Sequence, residues 1–178
     1  MEWKIDKKMK NKVLEFQKAY EQEFQEELQK IKDLTDEVWE YIKEKGQWED
    51  EEAILDWISV FPSGIFRRHL FGRYYELADE KEIDYDALDT RCPEIDGELL
   101  HRTKILKKES IQRSLHRQKM ESAVKKECFS YLKKTGLWND PEAVYEMGCL
   151  LPVCALRHEL DKRYYELESK KEKDKAEP

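Results

Sequence analysis

A displacement of 90 residues lays residues 37–77 of this chain over residues 127–167 without a gap. Sixteen of the 41 pairs are identical, among them Tyr41/Tyr131, Gly46/Gly136, Trp48/Trp138, Asp50/Asp140, Pro62/Pro152, Arg67/Arg157 and Leu70/Leu160. The match closes on an unbroken run, Arg73-Tyr74-Tyr75-Glu76-Leu77 against Arg163-Tyr164-Tyr165-Glu166-Leu167. Composition alone gives about two or three identities over such a length, so the chain carries one unit twice. Its fold must therefore be buildable from two copies of the same part.

That part reads as helical. Val13, Phe16, Tyr20, Phe24, Leu28, Ile31, Leu34, Val38 and Ile42 recur every 3.6 residues on average, the period of a straight amphipathic helix. Gly46 and Gly136 stand where a helix end favours a left-handed residue, and Trp48 and Trp138 are expected to fold back as plugs. Asp50 and Asp140 read as N-caps of a short second helix, with Pro141 at a first helical position that needs no N–H. Pro62 and Pro152 end that helix and are expected to open a third, running to about Glu82 and Glu172. The predicted fold is all-α: two tandem pseudo-symmetric three-helix units, packed as a helical bundle. Residues 1–82 form the first unit, 83–97 a linker, 98–172 the second unit, and 173–178 a disordered charged tail.

Only six Gly and five Pro occur in 178 residues, which disfavours sheets and their turns. Charged residues make up 41% of the chain, so the core is thin and leans on five Trp and nine Tyr. No stretch approaches the ~20 apolar residues that span a bilayer. The first residues lack a signal-peptide pattern, so a cytoplasmic protein with reduced cysteines is expected, and no membrane partner.

Three constellations can carry function. The first is basic: residues 101–126 hold nine Lys or Arg against Glu109 and Glu121. Arg102, Lys104, Lys107, Lys108, Arg113, Arg117 and Lys119 are candidate contacts for nucleic acid or an acidic partner. Interleaved aromatics that would stack bases are absent, and the net charge of −7 argues against a dedicated nucleic-acid binder. The competing reading is internal: residues 15–52 carry fourteen acids against five lysines, so the two long helices can pair with each other.

The second is the repeated Arg-Tyr-Tyr-Glu-Leu. Arg73 and Arg163 fall on the apolar side of their helices and need partners, with Glu76 and Glu166 at i+3 and Glu52 and Glu142 across. They are either structural or, with Arg67, Tyr75, Arg157 and Tyr165, two equivalent protein-contact patches. The third, Cys149, Cys154 and His158, has near-zinc spacing but no fourth ligand, and the first copy has Ser59, Gly64 and Arg68 there. Buried free thiols are the expectation.

No phosphate-binding glycine loop, metalloprotease helix or nucleophile elbow occurs. The expected function is non-catalytic and cofactor-free: an adaptor, inhibitor or regulator that binds another macromolecule. A protein partner is expected, nucleic acid is the alternative, and self-association is left open.

Overall fold

The computed structural model describes residues 3–78, 82–95 and 97–176. Among the described residues seven α-helices follow one another and no strand occurs. They are α1 (Lys7–Glu44), α2 (Glu51–Val60), α3 (Ile65–Leu77), α4 (Tyr85–Thr90), α5 (Gly97–Lys134), α6 (Pro141–Cys149) and α7 (Ala155–Ala176). Short 3₁₀ turns, Gln47–Glu49 and Leu137–Asn139, precede α2 and α6.

The corners between the first and second helices follow the sequence closely. Gly46 (φ 66°) and Gly136 (φ 75°) adopt the left-handed conformation that stops α1 and α5. Trp48 then turns back edge-on to Trp39 of α1 at 4.9 Å, and Trp138 meets Phe129 of α5 at 5.1 Å. The Asp50 carboxylate accepts from the N–H groups of Glu52 and Ala53, and Asp140 accepts from those of Glu142 and Ala143. Pro141 occupies the start of α6.

Other boundaries differ from the expectation. Neither proline opens a helix: α3 begins at Ile65 and α7 at Ala155, three residues later. Pro62 and Pro152 are buried in the corner, where Phe61 is already extended ahead of its proline. Helix α3 ends at Leu77 rather than near Glu82, and residues 79–81 lie outside the described ones. Conversely, residues 173–176 of the expected disordered tail belong to α7, while 177–178 fall outside the described residues.

Residues 83–95 of the expected linker carry local structure as well. They hold α4, capped by the Asp84 side chain on the N–H groups of Asp86 and Ala87. Arg91, just beyond α4, reaches both Asp56 and Glu52 of α2, and the Glu94 N–H donates to Asp56 at 2.8 Å. Ninety residues away, the Lys4 N–H donates to Glu146 of α6, also at 2.8 Å. Residues 94–95 and 4–5 thus serve α2 and α6 alike, and Ile5-Asp6 recurs in the sequence as Ile95-Asp96.

Packing divides the chain into two compact units: residues 1–24 with 115–178, and residues 25–114. The core of the first gathers Ile5, Met9, Val13 and Phe16 from the N-terminal end with Cys128, Leu132, Met147, Leu156 and Leu160. The core of the second gathers Leu34, Val38 and Ile42 with Trp57, Ile58, Leu70 and Tyr74, closed by Leu88, Leu99 and Leu106. Each unit therefore takes one complete 41-residue match segment and adds the beginning of the other copy's long helix. The apolar stripe of α1 is accordingly buried at its two ends, whereas Phe24 and Leu28 remain 43% exposed.

Candidate functional site

The four repeated arginines are used within the fold. Arg73 Nε donates to the Trp48 carbonyl at 2.9 Å, and its guanidinium reaches Glu76 at 2.9 Å, Glu49, and the face of the Trp48 ring. Arg163 covers the Trp138 ring in the same way and reaches Asn139 at 2.8 Å and Glu166 at 3.3 Å. The i+3 glutamates therefore serve as expected. Glu52 and Glu142 do not, because they hold Arg91 and Lys4 instead. Carboxylates beside Arg73, Glu76 foremost, push its pKa further up and keep the guanidinium charged.

Arg67 Nε donates to the Ile58 carbonyl at 2.9 Å, and Arg157 Nη1 to the Leu151 carbonyl at 3.4 Å. Arg67 thereby satisfies a carbonyl in the last turn of α2 and fastens α3 to it, whereas Arg157 binds the bend just beyond α6.

The tyrosines of the same motif do not share this fate. Tyr165 is 67% exposed and Tyr75 40%. Each lies in a cluster. In the first unit Tyr164 touches Tyr165 at 5.3 Å and Tyr145 at 5.1 Å between ring centres. In the second unit Tyr74 touches Tyr75 at 5.7 Å, and the Tyr75 hydroxyl bonds to that of Tyr85, which raises its pKa. Tyr145 is likewise raised, chiefly by its bond to Cys149. Tyr85 and Tyr145 escape sequence reasoning, because they stand outside the repeated motif and meet it only through packing.

The basic segment of α5 is divided among several tasks. Arg102 grips Glu37 of α1 through two bonds of 2.5 and 2.7 Å, and this pairing holds the Glu37 carboxyl below its ordinary value. Lys107 donates to the Ser59 carbonyl at 2.7 Å. Arg113 lies 3.6 Å from Glu109 one turn back, and Arg117 lies over the Phe24 ring. Lys104, Lys108 and Lys119 are exposed. Pairing between α1 and α5 exists in both units, but with mixed sign. Lys30–Glu109 and Lys12–Glu127 put the lysine on α1, whereas Arg102–Glu37 puts the cation on α5, and the His116 ring of α5 lies 3.2 Å from Glu23.

Cys128 and Cys154 are buried thiols, while Cys92 and Cys149 are exposed. Burial pushes the Cys128 thiol up to about 12. Cys149 therefore departs from the expected burial, and its sulfur meets the Tyr145 hydroxyl. Among the described residues no three His, Cys, Asp or Glu side chains gather in a metal-holding group, and no helix is long and apolar enough to cross a membrane. The exposed side chains include those of the two tyrosine clusters, Lys104 and Lys108 in one unit and Lys119 in the other. Comparison with protein-family models, with curated proteins and with solved structures finds no match.

Proposed function

We propose that the protein is a non-catalytic binder of another protein, engaged through the two tyrosine clusters built around Tyr75 and Tyr165. The supporting observation is the exposure of Tyr145 and Tyr165, at 52% and 67%, on a chain whose thin core needs its aromatics. Tyrosine offers a large, rigid contact area with one polar tip, and it is enriched in binding hot spots. Two clusters on one chain favour a bivalent adaptor or regulator, whose grip rests on simultaneous engagement. Under this reading Arg67, Arg73, Arg157 and Arg163 position the third helices rather than touch the partner.

The test is capture of partners from native extract on the tagged protein, with nuclease present throughout. A stoichiometric protein should be retained by the parent and lost from the variant combining Tyr75→Ala and Tyr165→Ala, with circular dichroism unchanged. Equal capture by that variant overturns the reading.

The nucleic-acid reading draws on Lys104, Lys108 and Lys119, which stand exposed on α5. It loses force because Arg102 and Arg113 are engaged by glutamates. Co-purifying material absorbing at 260 nm, with partners released by nuclease, would restore it.

A further inference from the structure

In the second unit residues 104–112 of α5, the end of α2 and the end of α4 line an open cleft of about 500 Å³. That volume falls within the range of small-molecule sites. Four cations line it (Arg91, Lys104, Lys107 and Lys108), and no acidic side chain does among the described residues. For a protein of net charge −7 this is a local reversal of sign.

The four cations differ in their freedom. Arg91 is fixed by Asp56 and Glu52, and Lys107 is anchored on the Ser59 carbonyl. The two carboxylates offset the charge of Arg91, whereas the Ser59 carbonyl leaves Lys107 its positive charge beside the cleft. Lys104 and Lys108 are exposed and one helical turn apart, so their ammonium groups can converge on a single anion. Lysine is a compact point charge that binds phosphate without demanding the planar geometry of a guanidinium clamp. Two such groups beside Lys107 match a dianion better than a single carboxylate. Gln112, also lining the cleft, adds an amide donor.

Besides Ser59 the remainder of the lining is aliphatic: Val60, Leu88 and Ile111, with Ile111 54% exposed beside the lysines. Among the described residues no aromatic ring lines the cleft, which disfavours stacking of a nucleobase there. We infer that this cleft is a binding site for a dianionic phosphate group carried on a small aliphatic body. The phosphate lies between Lys104 and Lys108, and the aliphatic part against Ile111, Leu88 and Val60. The site is independent of the tyrosine clusters.

The experiment is a titration of the full-length, ¹⁵N-labelled protein with butyl phosphate, followed by NMR, with inorganic phosphate, butyrate and a single-stranded oligonucleotide as parallel probes. Saturable shifts confined to the amides of residues 59–60, 88–91 and 104–112 are expected. Butyl phosphate should bind more tightly than either inorganic phosphate or butyrate. Replacing Lys104→Gln and Lys108→Gln together should weaken it about tenfold or more while leaving the rest of the spectrum in place. Lys119→Gln, an equal charge change on the same helix in the other unit, should leave binding unchanged. The proposal is overturned by non-saturating shifts, by equal weakening in Lys119→Gln, or by inorganic phosphate matching butyl phosphate. Shifts produced by the oligonucleotide alone would also overturn it, in favour of a nucleic-acid surface.

Discussion

Asp140 shows how much one carboxylate can carry. It caps α6 through the N–H groups of Glu142 and Ala143 and also receives the Lys4 ammonium. Burial opposes its charge, but Lys4 and the two N–H groups outweigh burial and hold its carboxyl below the ordinary value. Because the folded value lies below the unfolded one of about 3.9, its contribution is complete above that pH and fades as pH falls through the folded value. Asp140→Ala should cost about 1 kcal/mol in urea unfolding near neutrality, with the gap to the parent narrowing below about pH 4. A gap constant across that range would contradict the assignment. The thiols give a second residue-scale check: in the native protein Cys92 and Cys149 should react with an alkylating reagent, and Cys128 and Cys154 only after denaturation. Mass spectrometry reads the outcome, and native labelling of Cys128 would contradict its burial.

At the scale of elements, the corners were legible in the sequence because their signals are local. A left-handed glycine, a tryptophan two residues on and a capping aspartate four residues on specify one short path of chain. Gly46 has open space where a Cβ would sit, so Gly46→Ala meets only the backbone cost of positive φ. It should lose about 1–2 kcal/mol, and Gly46→Asn less, by denaturant unfolding. The prolines mislead for a complementary reason: a proline suits the first residue of a helix, whereas Pro62 and Pro152 are each buried in the bend before one. The attachment of residues 84–95 to α2 was hidden because Arg91 and Asp56 are 35 residues apart and neither sits in a periodic pattern. Breaking that contact should be costly in one direction only. Arg91→Ala leaves the buried Asp56 with fewer donors and should cost about 1–3 kcal/mol, and adding Asp56→Ala should recover part of the loss. Strict additivity of the two changes would show that they are not coupled.

At the scale of the whole molecule, the duplication was plain from the aligned residues, yet the grouping of parts into cores was not. A 3.6-residue stripe tells which face of a helix is apolar, not which neighbours cover each turn. Val13 and Val38 lie on one stripe of α1 but in different cores. The same limit applies to the charges, where opposite net signs on α1 and α5 suggested one-way pairing and the contacts run both ways. It applies to the arginines too, since the apolar faces that carry Arg73 and Arg163 do not tell that each guanidinium lies over a tryptophan of the corner. The central claim is that a compact unit is not a sequence repeat but a match segment closed by the start of the other copy's long helix. It is tested most directly by comparing urea unfolding of two fragments, residues 25–114 and residues 1–82. The account predicts a cooperative transition for 25–114, which keeps Leu88, Leu99 and Leu106 over its core, and none for 1–82, which lacks them. A cooperative transition in 1–82 with none in 25–114 would contradict it.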